Sequence, residues 1–275
     1  MTGTVSWISI APVKGMRIQS LERVDLTEDG VPGDRAFILT DPGGAMVNGK
    51  RVGSLMEIIP THDRAAGTLT LAFPDGTSVK GEVALGESEE ITFFGQPERA
   101  RPVTGEFSAA ISRHTGTDLR LMAQPEGRTG VDRGKWGGVT LLGATSLESL
   151  REAGRDFNRE APGSSTSGDP DPGPIDQRRF RMTFGIEGTA PYEEDGWVGR
   201  HVRIGEALIR VGAHVGRCAV TTRDPESGET DLKTLHFLKH SRDQVDSVEA
   251  LPFGVYGEVI ETGPVAIGDR LTVLD

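Results

Sequence analysis

Thr68-Leu-Thr-Leu-Ala-Phe-Pro-Asp-Gly-Thr-Ser-Val-Lys-Gly-Glu-Val83 alternates apolar and polar residues around Pro74-Asp75-Gly76. A period of two marks a half-buried strand, and Asp-Gly supplies the positive φ that a tight hairpin turn requires. The stretch therefore reads as two antiparallel strands, 68–73 and 77–83. Short apolar runs of the same kind lie on either side of it, at 5–10, 21–26, 36–39, 91–94 and 100–103. One segment of this half, 107–113, reads as a helix. The N-terminal part is β-dominated.

A second region begins after Gln124 with a polar, glycine-rich stretch to Gly138. A strand at 139–142 leads into a helix at 146–155, whose start is signalled by Thr145 and Glu148 at the spacing of a capping box. Further strands are read at 180–186, 202–204, 207–211, 219–222, 255–261 and 271–274, with a last helix at 232–240. Residues 154–178 carry four prolines and few apolar side chains. Such a segment cannot hold a core and is expected to be an exposed loop, either a tolerated insertion or a lid. The division that follows is 1–124 and 125–275.

Composition agrees with many short elements joined by tight turns. Glycine contributes 37 of 275 residues, nearly twice its usual share, and there are 16 prolines. The expected class is mainly β with a few helices (α+β). The net charge of −11 argues against nucleic acid as a partner, because phosphate binding needs a cationic surface. No run of apolar residues is long enough to span a membrane, and the N-terminus has neither the basic nor the apolar region of a signal peptide. A single cysteine, Cys218, leaves no internal disulfide and fits a cytoplasmic protein.

Cys218 is also the candidate with most chemistry. A lone cysteine is commonly a small buried hydrophobe, but here Arg217 adjoins it, and a cationic neighbour favours the thiolate that binds metal or attacks a substrate. His236 and His240 stand four apart on a predicted helix, yet lack the third ligand of a catalytic zinc site and read as a solvated face. The chain has no phosphate-binding loop, no dinucleotide fingerprint and no Gly-x-Ser-x-Gly elbow, which argues against ATPase, nicotinamide dehydrogenase and serine hydrolase chemistry. Lys14, Arg35 and Arg181 each sit beside a predicted strand, among turn formers or core residues. Taken singly they read as surface charges or ion-pair partners, although firmly held arginines are good anion ligands.

Several motifs in order resemble the MOSC family, in its two-domain form. They are Ile8-Ser-Ile-Ala-Pro-Val-Lys-Gly15, Gly33-Asp-Arg-Ala-Phe-Ile-Leu39, Leu141-Leu-Gly-Ala-Thr-Ser-Leu-Glu-Ser-Leu150 and Arg217-Cys-Ala-Val-Thr-Thr-Arg-Asp-Pro-Glu-Ser-Gly228, with the ending Phe253-Gly-Val-Tyr-Gly-Glu-Val259. The resemblance implies an N-terminal β-barrel-like domain followed by a MOSC β-barrel domain. That family includes the mitochondrial amidoxime-reducing component and its bacterial relatives, which carry a molybdenum cofactor. By similarity, Cys218 would be the metal ligand and catalytic residue, with Lys14, Arg35, Arg181 and Arg217 as cationic contacts to the cofactor. The implied reaction is two-electron reduction of a small N-hydroxylated substrate, fed by an external donor of the ferredoxin or flavoprotein type. The chain departs from the family pattern at Gly15, where relatives have serine, at Lys135-Trp-Gly-Gly138, and at Met182-Thr183, where relatives have Pro-Asn. Two other readings stay open: a molybdenum-free enzyme using Cys218 as a nucleophile or persulfide carrier, and a module that binds or delivers the cofactor.

Overall fold

The computed structural model describes residues 2–125, 131, 133–160 and 169–274. In chain order the strands of the first half are β1 (Thr2–Ile10), β2 (Gln19–Leu21), β3 (Arg23–Leu26), β4 (Phe37–Thr40), β5 (Met46–Val47), β6 (Ile59–Asp63), β7 (Thr68–Ala72), β8 (Ser78–Glu82), β9 (Glu89–Phe93), β10 (Gln96–Pro102) and β11 (Arg120–Ala123), with helix α1 (Phe107–Thr115). The second half contributes β12 (Val139–Gly143), α2 (Ala144–Glu160), β13 (Phe184–Glu187), β14 (His201–Ile204), β15 (Ala207–Gly216), α3 (Thr234–Arg242), β16 (Pro252–Glu261), β17 (Gly263–Ala266) and β18 (Arg270–Leu274).

Seven strands close a barrel in the order β13-β12-β16-β15-β14-β18-β1, and β1 returns to pair with β13. Closure abolishes the exposed edges that an open sheet would present. Its interior is filled by β-branched and aromatic side chains, among them Val5, Ile8, Phe184, Trp197, Ile209 and Val255, all at most 1% exposed. Strands β4 to β11 form a half-barrel from two sheets, β5-β4-β11-β10-β9 and β6-β7-β8, closed over Phe37, Leu69, Leu71, Phe107 and Leu121. The hairpin that opens the sequence reading is β7–β8, with Asp75-Gly76 at its tip and Gly76 at φ 83°.

Strand β1 belongs to the C-terminal barrel, as does β2 beside it, while β3 pairs with β17. The sequence division at Gln124 therefore leaves out that the chain begins in the second barrel, crosses to the half-barrel and returns. The β1–β13 seam shifts register between Val5 and Trp7, and Trp7 lies across Gly185. A Cβ at Gly185 would stand 2.0 Å from the indole. Gly185→Ala is expected to overpack the seam and lower stability by about 1–3 kcal/mol, read by denaturant unfolding.

Four local expectations are corrected. Residues 219–222 form a turn of 3₁₀ helix, not a strand, because Thr221 and Thr222 hydroxyls bond back to the carbonyls of Cys218 (3.1 Å) and Ala219 (2.7 Å). The run 180–186 is extended only from Phe184; its start ends a 3₁₀ turn, Gln177–Phe180. Of the loop expected at 154–178, residues 154–160 are the end of α2, held by Phe157 against His236 and Phe237 and by Gly154 against Phe237. Its far side is packed too, since Ile175 is in the core around α2 and α3, and Arg151 anchors Asp171 at 2.9 Å. The serine-rich centre at 161–168 lies outside the described residues. Helix α2 begins at Ala144, and Thr145 donates to Thr189 O (2.9 Å) rather than capping it.

Candidate active site

The five cofactor and metal residues expected from the sequence converge. Lys14, Arg35, Arg181, Arg217 and Cys218 line one cleft of about 190 Å³ between the closed barrel and the half-barrel. The chain achieves this by backbone pairing before any side chain is involved. Lys14 N donates to Phe37 O (2.8 Å), Phe37 N to Pro12 O (3.1 Å) and Arg35 N to Ala11 O (2.7 Å), so the two motifs run side by side. Asp34 fixes the pair, accepting from Ala11 N at 2.7 Å and from the Arg35 guanidinium.

Arg35 and Arg181 then cross between the two units. Arg35 Nη2 donates to Arg181 O (2.9 Å), and Arg181 Nη2 donates to Met16 O (2.7 Å). Ser9 Oγ holds Met182 O at 2.6 Å, and Thr140 Oγ1 accepts from Thr183 N at 2.8 Å, so the Arg181 segment is tied to β1 and β12. Arg217 is held by several protein groups at once. Its Nε and Nη2 donate to Phe253 O, its Nη1 to Phe180 O (2.9 Å) and its Nη2 also reaches Met182 Sδ (2.9 Å). The guanidinium lies 5.4 Å from the Phe180 ring and 5.8 Å from Phe253, against aromatic faces. Most of its five N–H groups are thus engaged by the protein, and the side chain ties the Cys218 segment to Phe180, Met182 and Phe253.

Cys218 is exposed into this cleft. Beside it, Arg181 and Arg217 have no carboxylate partner within ion-pair distance among the described residues, whereas Arg35 is paired with Asp34. Burial lowers Arg181 to about 10, helped by Arg35, and burial lowers Arg217 to about 9, opposed by Cys218. Both stay cationic at neutral pH. Lys50 and Arg133 add to the lining, and no Asp or Glu is among the described lining residues. On a chain of net charge −11 the cleft is a local concentration of positive charge suited to an anion.

Backbone strain gathers at the same place. Five non-glycine residues have positive φ among those described, and three of them, Arg35 (50°), Phe94 (49°) and Arg181 (55°), line the cleft. Strained conformations persist where surrounding structure over-determines them, and they cluster at functional sites. The substitution at Gly15 also has a cause. Gly15 has φ 94°, and a Cβ there would stand 2.9 Å from Gly49 N. Gly15→Ser is expected to cost about 1–3 kcal/mol and to push the Lys14 loop from the Asn48-Gly49 loop, read as a lower unfolding temperature. Met182, the departure after Arg181, supplies the thioether that meets Arg217.

Residues the sequence reading passed over also line the cleft: Asn48, Lys50, Phe94, Arg133, Thr140 and Tyr256. Tyr256 sits inside the quoted C-terminal motif, and Phe94 precedes a turn glycine, which are the two signals that could have found them. Arg133 pairs with Glu249 (3.2 Å) and lies 4.8 Å from the Tyr256 ring. His236 and His240 are on α3 as expected, stacked on Phe157, and belong to no metal-ligand cluster; none occurs among the described residues. Among the described residues, no helix is long and apolar enough to cross a membrane.

Residues 2–117 match the MOSC N-terminal beta barrel domain, and residues 140–272 match the MOSC domain. The chain belongs to the MOSC family. This MOSC protein is 24% identical over 298 aligned positions to the mitochondrial amidoxime-reducing component 1 of Xenopus laevis, covering 97% of the chain and 81% of that relative. It is 29% identical over 246 positions to the molybdenum cofactor sulfurase of Oryza sativa subsp. japonica, covering 81% of the chain but spanning only 28% of that relative's length. Among solved structures, it is similar to the YuaD protein of Bacillus subtilis at 12% identity and a TM-score of 0.44, covering 99% and 96% of the two chains.

Proposed function

We propose that this MOSC protein is a molybdenum-cofactor-dependent reductase of N-hydroxylated compounds. The observation that supports the reading is one exposed thiol, Cys218, in a cleft where Arg181 and Arg217 have no carboxylate within ion-pair distance among the described residues. The donor set fits the cofactor. One soft sulfur and no further described ligand cluster suits a metal that brings its own sulfur donors. Buried guanidinium groups suit the anionic remainder of such a group. When bound, the cofactor supplies the two-electron chemistry.

The protein's own residues do the rest. Cys218 offers the sulfur, Arg217 fixes its backbone from behind, and Arg35 with Arg181 clamps the two units around the cleft. The overall change is amidoxime plus two electrons and two protons to amidine plus water, with the N–O bond broken. The electrons come from an external donor, such as a ferredoxin or flavoprotein. The single cysteine, which leaves no disulfide to form, supports a cytoplasmic setting.

Protein produced in a cofactor-competent host and reduced by viologen is expected to convert benzamidoxime to benzamidine. Bound molybdenum without any turnover would move the substrate class elsewhere. The similarity to a molybdenum cofactor sulfurase favours a second reading, in which Cys218 carries a persulfide or the cleft holds the cofactor for delivery. A persulfide would release thiocyanate on treatment with cyanide, which the reductase reading does not predict.

A further inference from the structure

The cleft is lined by apolar side chains as well as by cations. Phe94, Val131, Val215, Val220 and Tyr256 are among them. Phe94 is the unusual member. It occupies the first position of the two-residue turn between β9 and β10, where Phe93 pairs with Gln96, and both Phe94 (φ 49°) and Gly95 (φ 80°) have positive φ. Turns of this kind favour Asn, Asp or Gly at that position, and a bulky residue there is strained.

The strained side chain stays partly open to solvent. Phe94 is 43% exposed, whereas Phe93 beside it is 9% exposed and in the core. Phe93 meets it edge-on, at 4.8 Å between centroids, and Lys14 Nζ stands 4.9 Å from its ring. The ring is thus positioned from two directions and still open to the cleft. An exposed apolar surface maintained against local preference points to an apolar occupant.

We propose that Phe94 is a stacking platform for the planar ring of the substrate, so that this protein selects aromatic over small aliphatic N-hydroxylated compounds. The inference rests on the reductase reading for the word substrate, but the platform itself can be tested without the cofactor. Phe94→Asn suits the turn and is expected to unfold at the same or a higher temperature than the wild type. Binding of benzamidoxime and acetamidoxime to metal-free protein is followed by saturation-transfer NMR, and KM for both is measured on loaded enzyme.

The expected result is that the wild type binds benzamidoxime more tightly, and that Phe94→Asn reduces this preference by about 3–10-fold, as loss of one aromatic pair would. The KM ratio of the two compounds should shift by the same factor, and Phe94→Trp should restore it. An unchanged preference, or an equal weakening of both compounds, would overturn the proposal. So would a fall in molybdenum content in Phe94→Asn with the preference intact, which would assign the ring to the cofactor. Selective binding to the metal-free protein in the absence of any amidoxime turnover would keep the platform and remove the reductase reading.

Discussion

Cys218→Ala is expected to abolish amidoxime reduction and strip the protein of molybdenum, while leaving its unfolding temperature within a degree or two of the wild type. Losing a residue that merely orients a metal ligand typically costs about 10–100-fold in affinity or activity, so losing the one thiol in the cleft should cost more than about 100-fold. Stability should hold because the thiol is exposed and the turn that follows is built from groups the substitution leaves in place. The carbonyl of residue 218 still accepts from Thr221 N and Thr221 Oγ1, both at 3.1 Å. Activity and metal assays beside a melting curve separate these effects.

Arg217 and Arg181 are expected to fail in different ways. Arg217→Ala removes the donors that satisfy Phe180 O and Phe253 O, carbonyls of residues 3% and 0% exposed. An orphaned buried acceptor costs about 1–3 kcal/mol, partly offset by no longer burying a cation, so a net loss of about 2–4 kcal/mol is expected. The Arg181 guanidinium donates one bond, to the carbonyl of Met16, a residue 0% exposed, and faces the like charge of Arg35 as well as the carboxylate of Asp34. Arg181→Met therefore orphans one buried acceptor while relieving desolvation and repulsion, and it should cost about 0–2 kcal/mol, less than Arg217→Ala. Its molybdenum content should nevertheless fall by about 10-fold or more, because the cleft loses a cation that has no carboxylate within ion-pair distance among the described residues. Equal destabilisation of the two variants would contradict the roles assigned here.

How much of this was legible in the sequence depends on the range of the interaction. The β7–β8 hairpin is written locally, in alternation and an Asp-Gly turn. The return of β1 to close the second barrel is not, because pairing between Thr4 and Glu187 leaves no mark on either stretch alone. Val220, Thr221 and Thr222 have the composition of a strand, but hydroxyls bonding to their own backbone override that preference. At 154–160 the sequence looks polar and unstructured, yet Gly154 and Phe157 are the contacts on which α3 packs.

The site divides in the same manner. The motifs around Lys14, Arg35, Arg181 and Cys218 are visible as resemblances, and the geometry explains them by one cleft. That Arg217 donates to Phe180 O, Phe253 O and Met182 Sδ required coordinates, since none of these partners is its neighbour in sequence. Phe94 looked like the end of a strand. Its placement in a turn with positive φ, open to the cleft, is a property of the backbone that residue type argued against.

The most direct test is the molybdenum content of wild-type protein and Cys218→Ala, purified from a cofactor-competent host and quantified by elemental analysis. Close to one molybdenum per chain in the wild type and little in Cys218→Ala is the expected result, with the metal held through the cleft thiol. Wild-type protein without molybdenum, or full occupancy that survives the loss of Cys218, would contradict it.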